Sequence, residues 1–173
     1  MAKIPFSKLG LKTNTDIGFI SVNDCTIEVS RYLPFKEKTE LVSNIINNSV
    51  DDNGFYNPLR IKLYTVLETV YAYTNITFTA KMKEDPHKLY DNLVSSGLFA
   101  KIISEIDPSD WDAIQKDVWD TVKSIYDYRN SVLGILETVA TDYSDLKLDI
   151  NEITSQLLDP EALSTLKSLA PLA

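Results

Sequence analysis

Four times the chain sets a short acid or amide before a proline: Asn57-Pro58, Asp85-Pro86, Asp107-Pro108 and Asp159-Pro160. The side-chain oxygen of such a residue accepts from the unpaired N–H groups of a first helical turn. The proline that follows has its φ already helical and lacks the N–H that would be orphaned there. Each pair predicts a helix start, and a chain punctuated this way folds mainly as helices. The longest predicted helix begins at Pro108. Trp111, Ile114, Val118, Val122, Ile125, Arg129, Val132, Leu136 and Val139 follow at steps of three or four with no proline between them, the spacing of one helix face. A helix over about 108–140 would be roughly 48 Å long, against a radius of gyration of about 16 Å for a domain of this size. It must bend, break near Gly134, or use one end to hold a partner.

The other elements follow from shorter signals. Pro34 opens a helix whose apolar positions are Phe35, Leu41, Val42, Ile45 and Ile46, and the turn-forming run Asp51–Gly54 stops it. After Pro58 the first half, RIKLYTV, alternates like a strand, but Leu59, Leu63, Val66, Leu67 and Val70 continue at helical spacing beyond normal strand length. NITFTAKMKE predicts a short helical turn. Gly97 closes the helix opened by Pro86, and LFAKIISEI forms another short helix. The C-terminal stretch predicts two short helices capped at Asp149 and Asp159. Upstream, Ile20 and Val22 alternate, as do Cys25, Ile27 and Val29, with Asn23-Asp24 between them. This is the pattern of a β-hairpin, with Cys25 placed as a small buried hydrophobe. The expected fold is therefore mainly α: a single helical domain over 15–173 with an N-terminal hairpin.

Residues 1–14 differ from the rest and predict an extended basic arm. Lys3, Lys8 and Lys12 stand there with no acid, and Ile4, Phe6 and Leu9 are apolar around Pro5. The arm is either a docking device or a solvated tail. An isolated hairpin is marginal in water, so arm and hairpin together predict a surface completed by another chain, by pairing at an open strand edge or by the arm lying over an acidic neighbour.

Charge narrows the partners. The 173 residues carry a net charge of −8, unfavourable for general binding to nucleic acid or to anionic membranes. Residues 1–83 hold ten Lys/Arg against eight Asp/Glu, and residues 84–173 hold seven against seventeen. One cysteine allows no internal disulfide and suits a reducing compartment. No apolar run reaches the 18 or so residues of a membrane span, and the first residues lack the apolar core of a signal peptide. These features predict a soluble, intracellular protein.

Chemistry has little to build on. His87 is the only histidine and falls in the first turn of a helix; it reads as part of a solvated helix start. A zinc site needs about four His/Cys ligands. Asp142, Asp145 and Asp149, like Asp51–Gly54, lack the glycine and terminal glutamate of a calcium loop. The expectation is no enzyme activity, no cofactor, no metal and no small-molecule ligand. Tyr64, Tyr71, Tyr73 and Phe78 form an aromatic group suited to a core or an interface. Arg129 falls on the apolar row of the long helix, where an arginine pairs with a buried acid, faces a partner, or packs its stem and sends its head to water. The candidate partner-binding residues are Lys3, Ile4, Phe6, Lys8, Leu9 and Arg129.

The stretch YLPFKEKTELVSNIINNSVDDNGFYNPLRIKLYTVLETVYAYTNITFT, with IYDYRNSVLGILETV further on, resembles small acidic helical proteins from the structural and assembly modules of tailed bacteriophages, of the tail-assembly-chaperone-like and head–tail groups in phages of Gram-positive hosts. The resemblance covers about 32–139. It implies a non-enzymatic virion or morphogenesis protein that binds other phage structural proteins or itself, in the host cytoplasm during assembly or in the virion. A second reading is an acidic inhibitor of a host defence or nucleic-acid-processing complex. There a carboxylate face formed by Asp107, Asp110, Asp112, Asp117 and Asp120 would imitate DNA phosphates.

Overall fold

A computed structural model describes residues 3–51, 54–131, 134, 135 and 138. The fold is mainly helical with an N-terminal two-stranded antiparallel hairpin, as the sequence predicts. Strand β1 (Ile17–Val22) pairs with β2 (Cys25–Ser30). Asn23 and Asp24 both have positive φ, 45° and 62°, the two-residue turn whose twist matches the strands it joins. Among the described residues the named helices that follow are α1 (Phe35–Asn48), α2 (Pro58–Tyr73), α3 (Ala80–Lys83), α4 (Pro86–Ser95), α5 (Leu98–Glu105) and α6 (Pro108–Arg129). By its internal contacts the chain divides into Met1–Thr121 and Val122–Ala173. Among the described residues no helix is long and apolar enough to cross a membrane.

Three of the helix starts fall at the Asx-Pro pairs, and each is capped by the residue before the proline. Asn57 Oδ1 accepts from the N–H groups of Leu59 at 2.9 Å and Arg60 at 3.4 Å. Asp85 Oδ1 accepts from Lys88 N–H at 3.1 Å. Asp107 Oδ1 accepts from Ser109 N–H at 2.8 Å and from the Ser109 hydroxyl, and these bonds hold its carboxyl below the usual range. Asp159-Pro160 and the two predicted C-terminal helices lie outside the described residues.

In the first unit α2 is the central element. It packs on α1, α4 and α5 and buries residues on several sides, Ile61 and Leu63 among them. That explains the alternation of RIKLYTV: a helix covered on several faces tolerates apolar residues two apart. Leu59, expected on its apolar face, stands in the first turn of α2 and is exposed instead. Phe35, at the first position of α1, is exposed as well.

The inner face of the hairpin, Gly18, Ile20, Ile27 and Val29, is buried and packs on α5. Gly18 is required there: a Cβ would run into the Glu105 carboxylate and come 2.9 Å from Glu105 Cβ. Arg31 holds that carboxylate at 3.1 Å. Cys25 belongs to the same strand face but is exposed, against expectation; it sits beside the exposed turn Asn23-Asp24.

The long helix is shorter than 108–140. It ends at Arg129, with a turn at Asn130 and a bend at Ser131, and helical backbone returns at Gly134, Ile135 and Thr138. Ser131 Oγ takes part in the break, donating to Tyr128 O at 2.6 Å and accepting from Gly134 N–H at 3.1 Å.

Candidate functional site

The arm and the hairpin edge form the candidate surface. Residues 3–16 are exposed throughout. The arm is not wholly extended as expected: Phe6–Leu9 form one 3-10 turn, ended by Gly10 at φ 63°. Lys3 and Lys8 stand on the arm with Ile4, Phe6 and Leu9, and the apolar residues are half to three-quarters exposed, from Leu9 at 51% to Phe6 at 73%. Sequence reasoning missed Leu11, exposed to a similar degree, and the outward residues of β1, Ile17 and Phe19. The signal for the last two was available: if Ile20 and Val22 face inward, Ile17, Phe19 and Ser21 must face outward.

The two edges of the hairpin differ. Beyond β2, the end of α2 closes the ladder: Val29 bridges Thr74, Asn75 N–H donates to Glu28 O at 3.3 Å, and Glu28 N–H donates to Asn75 Oδ1 at 3.1 Å. Beyond β1, among the described residues, no such cover exists; the sheet has two strands and β1 is its edge. The Arg31 N–H bond to Asp16 O at 3.0 Å and the register show that residues 16, 18, 20 and 22 direct their backbone groups at β2. Ile17, Phe19 and Ser21 direct theirs away.

Arg129 belongs to the second unit, where it is the exposed last residue of α6. Burial along the α6 row runs through Ile114 and Val118 and fades after them. Trp111 at its start is half-buried, edge-on to Phe99 with ring centroids 6.2 Å apart.

The acidic row at the start of α6 is not a uniform face. Asp110 is buried, with 4% of its surface exposed. Its Oδ2 accepts from the Tyr73 hydroxyl at 2.6 Å and from Leu33 N–H at 3.2 Å, and its Oδ1 pairs with the Lys38 ammonium. The ammonium also lies 3.9 Å from the centre of the Tyr32 ring. Burial, and then the Asp110 carboxylate, push the Tyr73 phenol well above its ordinary value. Asp107 is a helix cap and Asp120 pairs with Lys116, while Asp112 and Asp117 are exposed. This interior network joins α1, α2 and α6 and was not foreseen from the sequence.

The aromatic group divides as well. Tyr73 is core, whereas Tyr71 and Phe78 meet edge-on at 4.8 Å in a half-buried position. His87 is exposed on α4, on the wall of an open groove with Asn57, Leu59, Arg60, Tyr90 and Asp91. Asp51 accepts from Phe55 N–H at 2.9 Å and so closes its own loop. Among the described residues no three His, Cys, Asp or Glu side chains stand together as a metal site; Asp142, Asp145 and Asp149 lie outside them. No protein-family model, curated protein or solved structure matches the chain.

Proposed function

We propose that this protein is a non-enzymatic virion or morphogenesis protein of a tailed bacteriophage, acting by protein–protein contact in head or tail assembly. One observation carries the contact: an arm bearing four large exposed apolar side chains, Ile4, Phe6, Leu9 and Leu11, runs into a strand edge that is unpaired among the described residues, with Ile17 and Phe19 exposed beside it. A monomer gains nothing from apolar surface left in water at that density, and strand edges and apolar segments are standard means of peptide docking. The phage context rests on the sequence resemblance over about 32–139. Partners are other phage structural proteins or further copies of the chain, met in the host cytoplasm or in the particle.

The inhibitor reading depends on a carboxylate face from which Asp110 is withdrawn into the core, so it stands second. Purifying phage particles and probing them for this protein tests the assembly reading, together with particle yield when residues 1–14 are deleted. Absence from particles and an unchanged yield would defeat it. Steeply salt-sensitive binding to a basic host nuclease would support the inhibitor instead.

A further inference from the structure

Among the described residues β1 leaves one edge unpaired, and its register shows which backbone groups that edge presents. The geometry points to a second copy of this protein: β1 pairs antiparallel with β1 of the second copy about a two-fold axis through Phe19, giving a continuous four-stranded sheet. This rests on the assembly reading and names its partner.

The argument starts from the backbone. Ile17, Phe19 and Ser21 turn their N–H and C=O groups away from β2, and Phe19 is the middle one. Rotation about Phe19 sets Phe19 against its own copy and Ile17 against Ser21 in both directions. Each facing pair exchanges two N–H···O bonds, so every outward donor meets an outward acceptor. Such self-complementarity is what a two-fold contact requires.

The side chains agree. Strand edges that must stay single are guarded by charges, prolines or bulges. The sequence of β1, IGFISV, has neither a charge nor a proline, and its pairing with β2 runs without a bulge. Two copies therefore meet with no like charges opposed. Phe19, 64% exposed, would stack across the axis as a cross-strand aromatic pair. Charge also favours the match. The arm holds Lys3, Lys8 and Lys12 with no acid, and the segment 16–30 holds Asp16, Asp24 and Glu28 with no base. In the antiparallel arrangement the arm leaving Asp16 passes the turn of the second copy, where Asp24 stands.

The test reads register directly. In a Cys25→Ser background, Phe19→Cys, Ile17→Cys and Ser21→Cys are each oxidised mildly and run on non-reducing gels. Facing residues of a hydrogen-bonded pair have Cα atoms about 5.5 Å apart, within the reach of a disulfide. Phe19→Cys should crosslink to itself. Ile17→Cys alone and Ser21→Cys alone should not, since like positions lie about 13 Å apart along the strand, but a mixture of the two should. Separately, Phe19→Lys and Phe19→Glu should each be monomeric by light scattering with unchanged far-UV circular dichroism, and mixing them should restore the dimer. A monomeric wild-type protein, or crosslinking equal at all three positions, overturns the proposal. A monomer found in phage particles would sink self-pairing and leave the assembly reading standing. A dimer absent from particles and without effect on their yield would do the reverse.

Discussion

Replacing Asp110 by Asn keeps the shape of the side chain and removes its charge. The structure shows what is lost. An amide oxygen can still accept from Tyr73 or Leu33, but the amide NH₂ must then face the Lys38 ammonium, a donor against a donor. Removing one member of a buried ion pair costs about 3–5 kcal/mol, because the other charge is stranded. The Lys38 side chain is 15% exposed and its ammonium rests on the Tyr32 ring, so part of its charge stays solvated and the loss should fall near the lower figure, about 3 kcal/mol. For a unit of this size each kcal/mol moves Tm by roughly 3–6 °C, so Tm should drop by about 9–18 °C. Urea titration followed by circular dichroism measures the free energy, and an unchanged m-value assigns it to stability. Adding Lys38→Met removes the stranded ammonium and should recover at least half of the loss, since a buried pair exchanged as a whole is often near neutral. A cost below about 1 kcal/mol for Asp110→Asn, or no recovery in the double variant, would refute the account of Asp110 as a compensated buried charge.

The Tyr73 phenol is held above the ordinary value of about 10. Above pH 10 the unfolded chain therefore loses this proton while the folded one keeps it, and stability falls by about 1.4 kcal/mol per pH unit; Tyr73→Phe should flatten the decline in urea titrations between pH 10 and 11, and an unchanged slope would contradict this. Thr69 is buried with a hydroxyl that has no partner among the described residues, so Thr69→Val should raise stability by about 1 kcal/mol, seen as a higher Tm; a lower one would mean the hydroxyl is satisfied. Gly18→Ala should cost about 1–3 kcal/mol by forcing Glu105 away from the hairpin, and a Tm equal to wild type would show that the Glu105 contact does not constrain this position. Deleting residues 1–14 should leave Tm and helix content unchanged while lowering particle size in light scattering; melting of the helices would mean the arm is a strap on its own body.

What the sequence revealed was local. The starts of α2, α4 and α6 are legible because Asn57, Asp85 and Asp107 satisfy backbone groups two or three residues away, and no distant contact is needed. The hairpin is legible because the conformations required of Asn23 and Asp24 are local too. Asp110 was not legible: its partners Leu33 and Tyr73 lie 77 and 37 residues away, and among neighbouring acids it looks like one more solvated charge. Cys25 shows a second limit. Alternation assigns a residue to a strand face, but burial depends on what covers that face, and beside the exposed turn Cys25 is exposed too. For the candidate surface, the arm residues Lys3, Ile4, Phe6, Lys8 and Leu9 were legible by composition, whereas the open edge of β1 required knowing that Thr74 and Asn75 close the opposite side.

The distance in sequence between Tyr73 and Asp110 also orders events during synthesis. α1 and α2 leave the ribosome carrying Lys38 and Tyr73 without their acceptor, and the 37 residues up to Asp110 take about 2–7 s at roughly 5–20 residues per second. Throughout that interval the Lys38 ammonium on α1 and the Tyr73 phenol on α2 lack their common acceptor, so the first unit should not lock until the first turn of α6 has emerged. A nascent chain stalled with Ile106 as its last exposed residue should be cut readily by protease within α1 and α2, and one stalled beyond Val118 should resist; equal resistance would place the locking step earlier, in the contacts of α1 with α2 alone.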